Sequence, residues 1–290
     1  MIVVVNAADD PAPVEREVRA RQLDARTLHG PAPSVSASRN LGWREARAEL
    51  ILFLGDDILA SPTLLREHFQ WHRRHPEDTV GVLGRVRWAP EIGVTPFMRW
   101  LESGIQFDYR GIEGIDAGPG RLYTSNVSLK RAILARVGGF DEELEFTYED
   151  IELGYRLATH GFRLLYNRRA RAEHLHQVTL ESTKERMRFN ARGEQRMVAK
   201  HPQLEPTLHN RMVRAAATPA RGRLAGLVGF VPPWLPILGR RVWRSAEQRW
   251  LSELAPEFLS AWEEAEAQAV EQRGEAPPAA ASADRRSGAA

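Results

Sequence analysis

The sequence predicts an α/β protein, a mixed sheet layered between helices, and three observations predict it. Short apolar or β-branched runs (Ile2–Val5, Leu50–Leu54, Val80–Trp88) alternate with helical patterns over the first two hundred residues, the order in which helices cover a sheet. Leu50–Leu54 is apolar at every position, as a strand covered on both faces must be. Breakers also fall where elements must stop: Gly55 after that strand, Gly138-Gly139 as a helix C-cap, then Gly161 and Pro202.

In chain order, Ile2–Val5 is a buried strand ended by Asn-Ala-Ala-Asp-Asp-Pro, and a short charged helix follows over 15–23. Residues 36–49 predict a helix with Ser36 or Ser38 near its start. After Leu50–Leu54, Ser61-Pro62 opens a helix to about His75, with proline at a first-turn position. His68, His72 and His75 share that helix, and with no suitable acidic neighbours they read as a solvated face. Val80–Trp88 alternates as a strand, and 89–122 are long loops with short helices. Residues 123–129 predict a strand, 130–137 and 148–160 helices, 162–166 and 170–176 two short strands, and 179–200 a charged helix. The α/β domain thus covers 1–205. A helical extension covers 206–272, and the Ala, Pro, Ser and Gly of 273–290 predict a disordered tail.

Composition excludes whole classes of chemistry. The chain has 290 residues and no cysteine, so disulfides, thiolate zinc sites and cysteine nucleophiles are out, and a metal needs carboxylate and imidazole. Forty Lys+Arg against 38 Asp+Glu leave a formal charge of +2, which gives no sign of nucleic-acid binding. No basic, apolar leader opens the sequence and no run reaches the ~20 residues of a spanning helix, so a cytoplasmic location is the expectation. An apolar stretch, 224–238, flanked by Arg221, Arg223, Arg240 and Arg241, predicts either a peripheral membrane contact through 224–241, at the inner face, or a helical hairpin packed on the domain.

Three groups of residues carry chemistry. The Leu50–Leu54 strand runs into Gly55-Asp56-Asp57; carboxylates beyond the carboxyl end of a strand can hold a hard cation that also takes substrate phosphates. A turn that caps the next helix explains these acids equally well. Gly138-Gly139-Phe140-Asp141-Glu142 precedes Tyr148-Glu149-Asp150, whose acids fall in a first helical turn, where the dipole favours them. His174 and His176 lie on one side of an extended segment and can supply an imidazole ligand; strand histidines are more often structural.

In this order and at these spacings the residues resemble the family-2 glycosyltransferases of the GT-A fold, from about residue 2 to 176. Ser38-Arg39-Asn40-Leu41-Gly42 is similar to the family's Ala-Arg-Asn-x-Gly, and Leu52 to Asp57 resembles the strand that ends in its Asp-x-Asp motif. Thr124 to Ser128 with Lys130-Arg131 looks like the donor-sugar strand. Gly139 to Glu142 with Glu149-Asp150 looks like the acceptor-side motif, and Tyr148 to Leu157 is similar to the C-terminal acidic motif of galactosyltransferases.

The resemblance implies a metal-dependent, inverting transfer of sugar from a nucleoside-diphosphate donor, a UDP-sugar first, to a carbohydrate or lipid-linked acceptor in bacterial envelope polysaccharide or glycolipid synthesis. Asp57 would bind Mn²⁺ or Mg²⁺, with His174 the first choice to complete the metal site and His176 the second. Arg39, Asp56 and Asn6 would contact the nucleotide, and Asn126 and Asp141 the donor sugar or acceptor. Asp150, with Glu149 as the alternative, would be the general base.

Two departures stand out. Gly55 replaces the first aspartate of the metal motif, and Ile2–Val5 aligns with the family's second strand, so the usual first β-α unit is expected upstream or absent. Two rival functions follow: an impaired homologue that binds a sugar nucleotide or a partner protein, and a metal-dependent hydrolase.

Overall fold

The computed structural model describes all residues except 103, 113, 145, 219–223, 232–234 and 273–290. The predicted tail, Arg221, Arg223 and Pro232-Pro233 lie outside the described residues.

Strand β1 (Ile2–Val5) and helix α1 (Ala12–Ala20) lead to β2 (Arg26–His29), which pairs with β1 in parallel. The alternation in residues 26–29 is too short to stand out in the sequence, and this strand was not predicted. Helix α2 (Val35–Glu45) starts where the Ser34 hydroxyl accepts the Ala37 N–H, a side-chain cap. It leads to β3 (Leu50–Leu54), β4 (Ile58–Ala60), α3 (Leu64–Arg74) and β5 (Val80–Trp88). Among its described residues the 89–122 region contains one α-helix, α4 (Pro96–Leu101), which is capped by Thr95, and two single-turn 3-10 helices, Pro90–Ile92 and Pro119–Arg121. Next come β6 (Asn126–Lys130), α5 (Arg131–Val137), ended by the left-handed Gly138, and α6 (Glu149–Ala158).

The predicted strands at 162–166 and 170–176 are one strand, β7 (Arg163–His174). A register shift opposite Gly84/Arg85 takes up the extra residues between Asn167 and Arg171, so the polar Asn-Arg-Arg looks like a break while the backbone runs on. Helix α7 (Leu180–Lys200) opens with a capping box between Thr179 and Ser182. The C-terminal helices are α8 (Thr207–Ala216) and α9 (Leu238–Gln272).

The main sheet has the order β3-β6-β5-β7-β4, with β5 and β7 parallel and the other pairs antiparallel. The predicted single sheet is divided, since β1 and β2 form a separate two-stranded sheet. Burial follows this division. Val82, Leu83 and Val86 of β5 are fully buried, whereas β1 buries only Val5.

One face of the main sheet packs on α5 and α6 through Ile51, Phe53, Val127, Ile133, Leu134, Leu153 and Leu157. The C-terminal helices share a second core with the sheet end. Trp88, Trp100 and Met187 pack in the same cluster as Trp250, Leu254 and Phe258. Arg188 ties α7 to Glu257 and Glu264 of α9. The 224–238 stretch divides between two environments. Ala225 and Val228 are buried in that core, while Phe230 is 79% and Ile237 71% exposed. Among the described residues no helix is long and apolar enough to cross a membrane.

The α3 histidines are the clearest correction. His68 and His72 are buried, not solvated. His68 Nε2 lies 2.9 Å from Asn126 Oδ1, and His68 Nδ1 and His72 Nε2 lie 2.8 and 2.9 Å from Ser128 Oγ. Asn126 Nδ2 donates to Ala170 O, so its Oδ1 must accept from His68. The Ser128 hydroxyl then donates to His68 Nδ1 and accepts from His72. Both imidazoles are therefore neutral links in a hydrogen-bonded chain under the sheet. Burial lowers the pKa of each, that of His72 to about 4 with Lys130 and His68 adding to the effect.

Candidate active site

The carboxyl end of β3 delivers Asp57, and β7 ends at His174 beside it. His174 Nε2 donates to Asp57 Oδ2 across 2.9 Å. Ile58 pairs with His174 in the sheet and the Leu175 N–H donates to Asp57 O, so backbone register fixes the contact. The His174 ring stacks on Trp88 at 5.1 Å between centroids and 14° between planes. Glycine at 55 makes room for this arrangement, because a Cβ there would lie 2.9 Å from Asp57 Oδ1. Desolvation raises the Asp57 pKa, but the hydrogen bond and charge of His174, its own N–H and the charge of His176 outweigh it, and the net shift is downward. Asp57 is thus held ionised. His174 touches Asp57, whereas His176 is exposed with its ring 6.0 Å from that of His174.

An ionised carboxylate beside an imidazole is a donor set that fits Mn²⁺ or Mg²⁺. Among the described residues no third His, Asp or Glu joins them, so waters and substrate oxygens would complete a coordination shell. Asp56 is exposed and makes no described side-chain contact.

The second group sits at the N-terminus of α6. Glu149 is 5% exposed and ion-paired to Arg39 on α2; Arg39 also lies 5.6 Å over the Phe140 ring. Asp150, only partly buried, is held differently. Its Oδ1 accepts the Ile151 N–H at 2.8 Å and its Oδ2 accepts from the backbone and hydroxyl of Thr124. Desolvation, and then the neighbouring Glu149 charge, push Asp150 up to about 6. Two adjacent acids are thereby given different characters, one locked to an arginine and one ready to take a proton near neutral pH.

The turn that presents them is strained. Thr147 and Tyr148 have φ of 70° and 64°, each costing about 1–3 kcal/mol in a non-glycine residue. The surroundings hold them there. The Thr147 hydroxyl donates to Phe189 O. Tyr148 is hydrogen-bonded to the buried Glu194, whose oxygens also accept the Leu208 and His209 N–H groups at the start of α8. The helical extension thus braces the acidic turn. The charges of Asp150, Glu149 and Asp57 all reach a second arginine, Arg186 on α7.

Other predicted residues fall elsewhere. Asn126 is fully buried in the histidine chain, with its amide used up in the core. Asp141 pairs with Lys200 and lines a separate cavity of about 530 Å³ with Arg44, Glu152, Arg156 and His201. Asn6 ends β1, where its side chain accepts the Ala8 N–H in a local turn. Sequence reasoning missed Thr124, Glu194 and Arg186. Thr124 lies inside a motif read for Asn126, and the other two sit among regularly spaced charges of α7 that look alike in the sequence.

Residues 1–193 match the family described as glycosyltransferase like family 2. The chain belongs to that family. As a family-2 member it is 30% identical over 206 residues to the validoxylamine A glucosyltransferase of Streptomyces hygroscopicus subsp. jinggangensis, covering 60% of this chain and 46% of that protein. It is 29% identical over 150 residues to the O-antigen biosynthesis protein RfbC of Myxococcus xanthus, covering 48% of this chain and 12% of that protein. The chain therefore spans less than half the length of these curated relatives. Among solved structures, the Pyrobaculum calidifontis mannosyltransferase PcManGT, in complex with GDP-Man and Mn²⁺, aligns with a TM-score of 0.54 at 18% identity, over 89% of this chain and 77% of that one. The fold is that of the GT-A glycosyltransferases, as the sequence resemblance implied.

Proposed function

We propose that this family-2 protein transfers a sugar from a nucleoside-diphosphate donor to a hydroxyl acceptor, with inversion and with Asp150 as the base. The observation that carries the proposal is Asp150 itself: reachable from solvent, oriented by Thr124 and Ile151, and raised to about 6 beside an arginine-locked Glu149. In this reaction the acceptor oxygen bonds to the anomeric carbon and its proton passes to the Asp150 carboxylate. The bond from that carbon to the phosphate oxygen breaks, and its electron pair leaves with the nucleoside diphosphate.

Asp57 and His174 would hold Mn²⁺ or Mg²⁺, which when bound supplies positive charge to the diphosphate. Arg39 engages Glu149 in an ion pair, apart from the proton transfer, and the Thr147–Tyr148 turn keeps Asp150 at the helix start. A UDP-sugar is the first donor to test; GDP-mannose, the ligand of PcManGT, is the second. The expected result is sugar transfer or donor hydrolysis by the purified protein with Mn²⁺, lost in Asp150→Asn. Turnover that survives Asp150→Asn removes the assigned base. Hydrolysis indifferent to UDP as a competitor favours the hydrolase reading instead.

The exposed apolar residues Leu227, Phe230, Ile237 and Leu238, followed by the exposed Arg240, Arg241 and Arg244, support contact with an anionic bilayer surface. Such contact suits a lipid-linked acceptor at the inner membrane face. Co-sedimentation with vesicles containing phosphatidylglycerol should fall in Phe230→Ser/Ile237→Ser and in high salt. Equal binding by that variant rejects the contact.

A further inference from the structure

Arg186 has no assigned role, and its surroundings are unusual. It lies on the second turn of α7, whose first turns are anchored by the buried Thr183 and Met187. That helix starts six residues after His174 ends β7, so its backbone is fixed relative to the metal-type pair. The helix also meets the acidic turn closely. A Cβ at Gly193, two turns on from Arg186, would lie 2.6 Å from Thr147 Oγ1 and 3.1 Å from Tyr148 Cδ2. Arg186 therefore lies on a helix that runs from the strand-end group to the acidic turn, and the charges of Asp150, Glu149 and Asp57 all reach it.

Among the described residues no ion pair or hydrogen bond engages its guanidinium. The nearby acids are already engaged: Asp57 by His174, Glu149 by Arg39, Asp150 by Thr124 and Ile151. The side chain is open to solvent, yet there is enough protein around it that desolvation lowers its pKa. An arginine keeps its charge in such a place, with five N–H donors that need acceptors once a substrate displaces water. A planar fork of donors matches the oxygens of a phosphate.

We propose that Arg186 binds the diphosphate of the nucleotide donor and takes up negative charge as it leaves. The inference rests on the glycosyl-transfer reading and adds to it a positively charged protein group on the diphosphate, supplied by α7. The bland alternative makes Arg186 a counter-ion for Asp150. That role would move the acid limb of the pH–rate profile and leave diphosphate affinity alone.

The test is calorimetric titration of UDP, GDP, inorganic pyrophosphate and uridine, each with Mn²⁺, into wild type, Arg186→Ala and Arg186→Lys. Loss of a charged hydrogen-bonding group predicts about 10- to 100-fold weaker UDP or GDP and pyrophosphate binding in Arg186→Ala. Uridine binding should be unchanged, and lysine should restore part of the loss. An unchanged thermal midpoint shows that the variant is folded. Diphosphate affinity within twofold of wild type in Arg186→Ala overturns the assignment while leaving glycosyl transfer standing. Failure of the wild type to bind UDP, GDP or pyrophosphate overturns both.

Discussion

Two histidine clusters serve the same sheet, and they do opposite things. His174 closes β7 at the open strand end, against an ionised Asp57. His68 and His72 lie beneath the sheet, hydrogen-bonded to Ser128 and Asn126. The imidazoles are chemically identical, so the difference lies in their partners. A carboxylate at an open edge offers a cation an anionic ligand and room for substrate. A hydroxyl and an amide in a sealed interior offer neutral hydrogen bonds, which a neutral ring satisfies and a charged ring would break.

Breaking the open cluster should cost the most. With Asp150 as base, Asp150→Asn is expected to lower kcat by about 10²- to 10⁴-fold and leave donor affinity nearly unchanged, read by steady-state kinetics and nucleotide titration. Asp57→Asn should weaken Mn²⁺-dependent UDP or GDP binding by at least about 10- to 100-fold; Gly55→Ala, which presses on Asp57 Oδ1, should act in the same direction and less strongly. A pH–rate profile sharpens the assignment further. A base raised to about 6 is protonated below that pH, so the rate should fall about tenfold per pH unit there and level off above it.

The closed cluster should report on stability alone. The folded pKa of His72, about 4, lies below its ordinary value of 6.5. Its contribution is therefore fully present above pH 6.5 and is lost as pH falls toward 4, because only the unfolded chain takes up the proton. The loss amounts to about 3 kcal/mol, and the groups around the ring are His68, His75, Lys130 and Ser128. Denaturant titrations between pH 7 and 4 should show this slope in wild type and a shallower one in His72→Gln, with activity at pH 7.5 similar for equal amounts of folded protein. A slope unchanged by that substitution places the acid sensitivity elsewhere.

Part of this was legible in the sequence. The strand at 50–54 appears where its unbroken apolar run put it and the strand at 80–88 where its alternation did; β5 is buried along most of its length, whereas β3, at the sheet edge, buries only Ile51 and Phe53. Asp57, His174 and the acid pair are singled out in the sequence by motif order. The α3 histidines were misread because helical spacing puts positions 68, 72 and 75 near one face without saying which way it points, and their partners lie more than fifty residues away. For the same reason Arg186 could not be picked out of a helix in which nearly every turn carries an arginine. The bulge in β7 and the short β2 are set by tertiary pairing, which local pattern does not record.

The central claim is that Asp57 and His174 make the open cluster chemical while the closed one is structural. It is tested most directly by Mn²⁺-dependent binding of UDP and GDP to wild type, His174→Ala and His72→Gln at pH 7.5. The account predicts metal-dependent binding in wild type and His72→Gln and its loss in His174→Ala, with all three folded. Retained metal dependence in His174→Ala, or its loss in a folded His72→Gln, would contradict it.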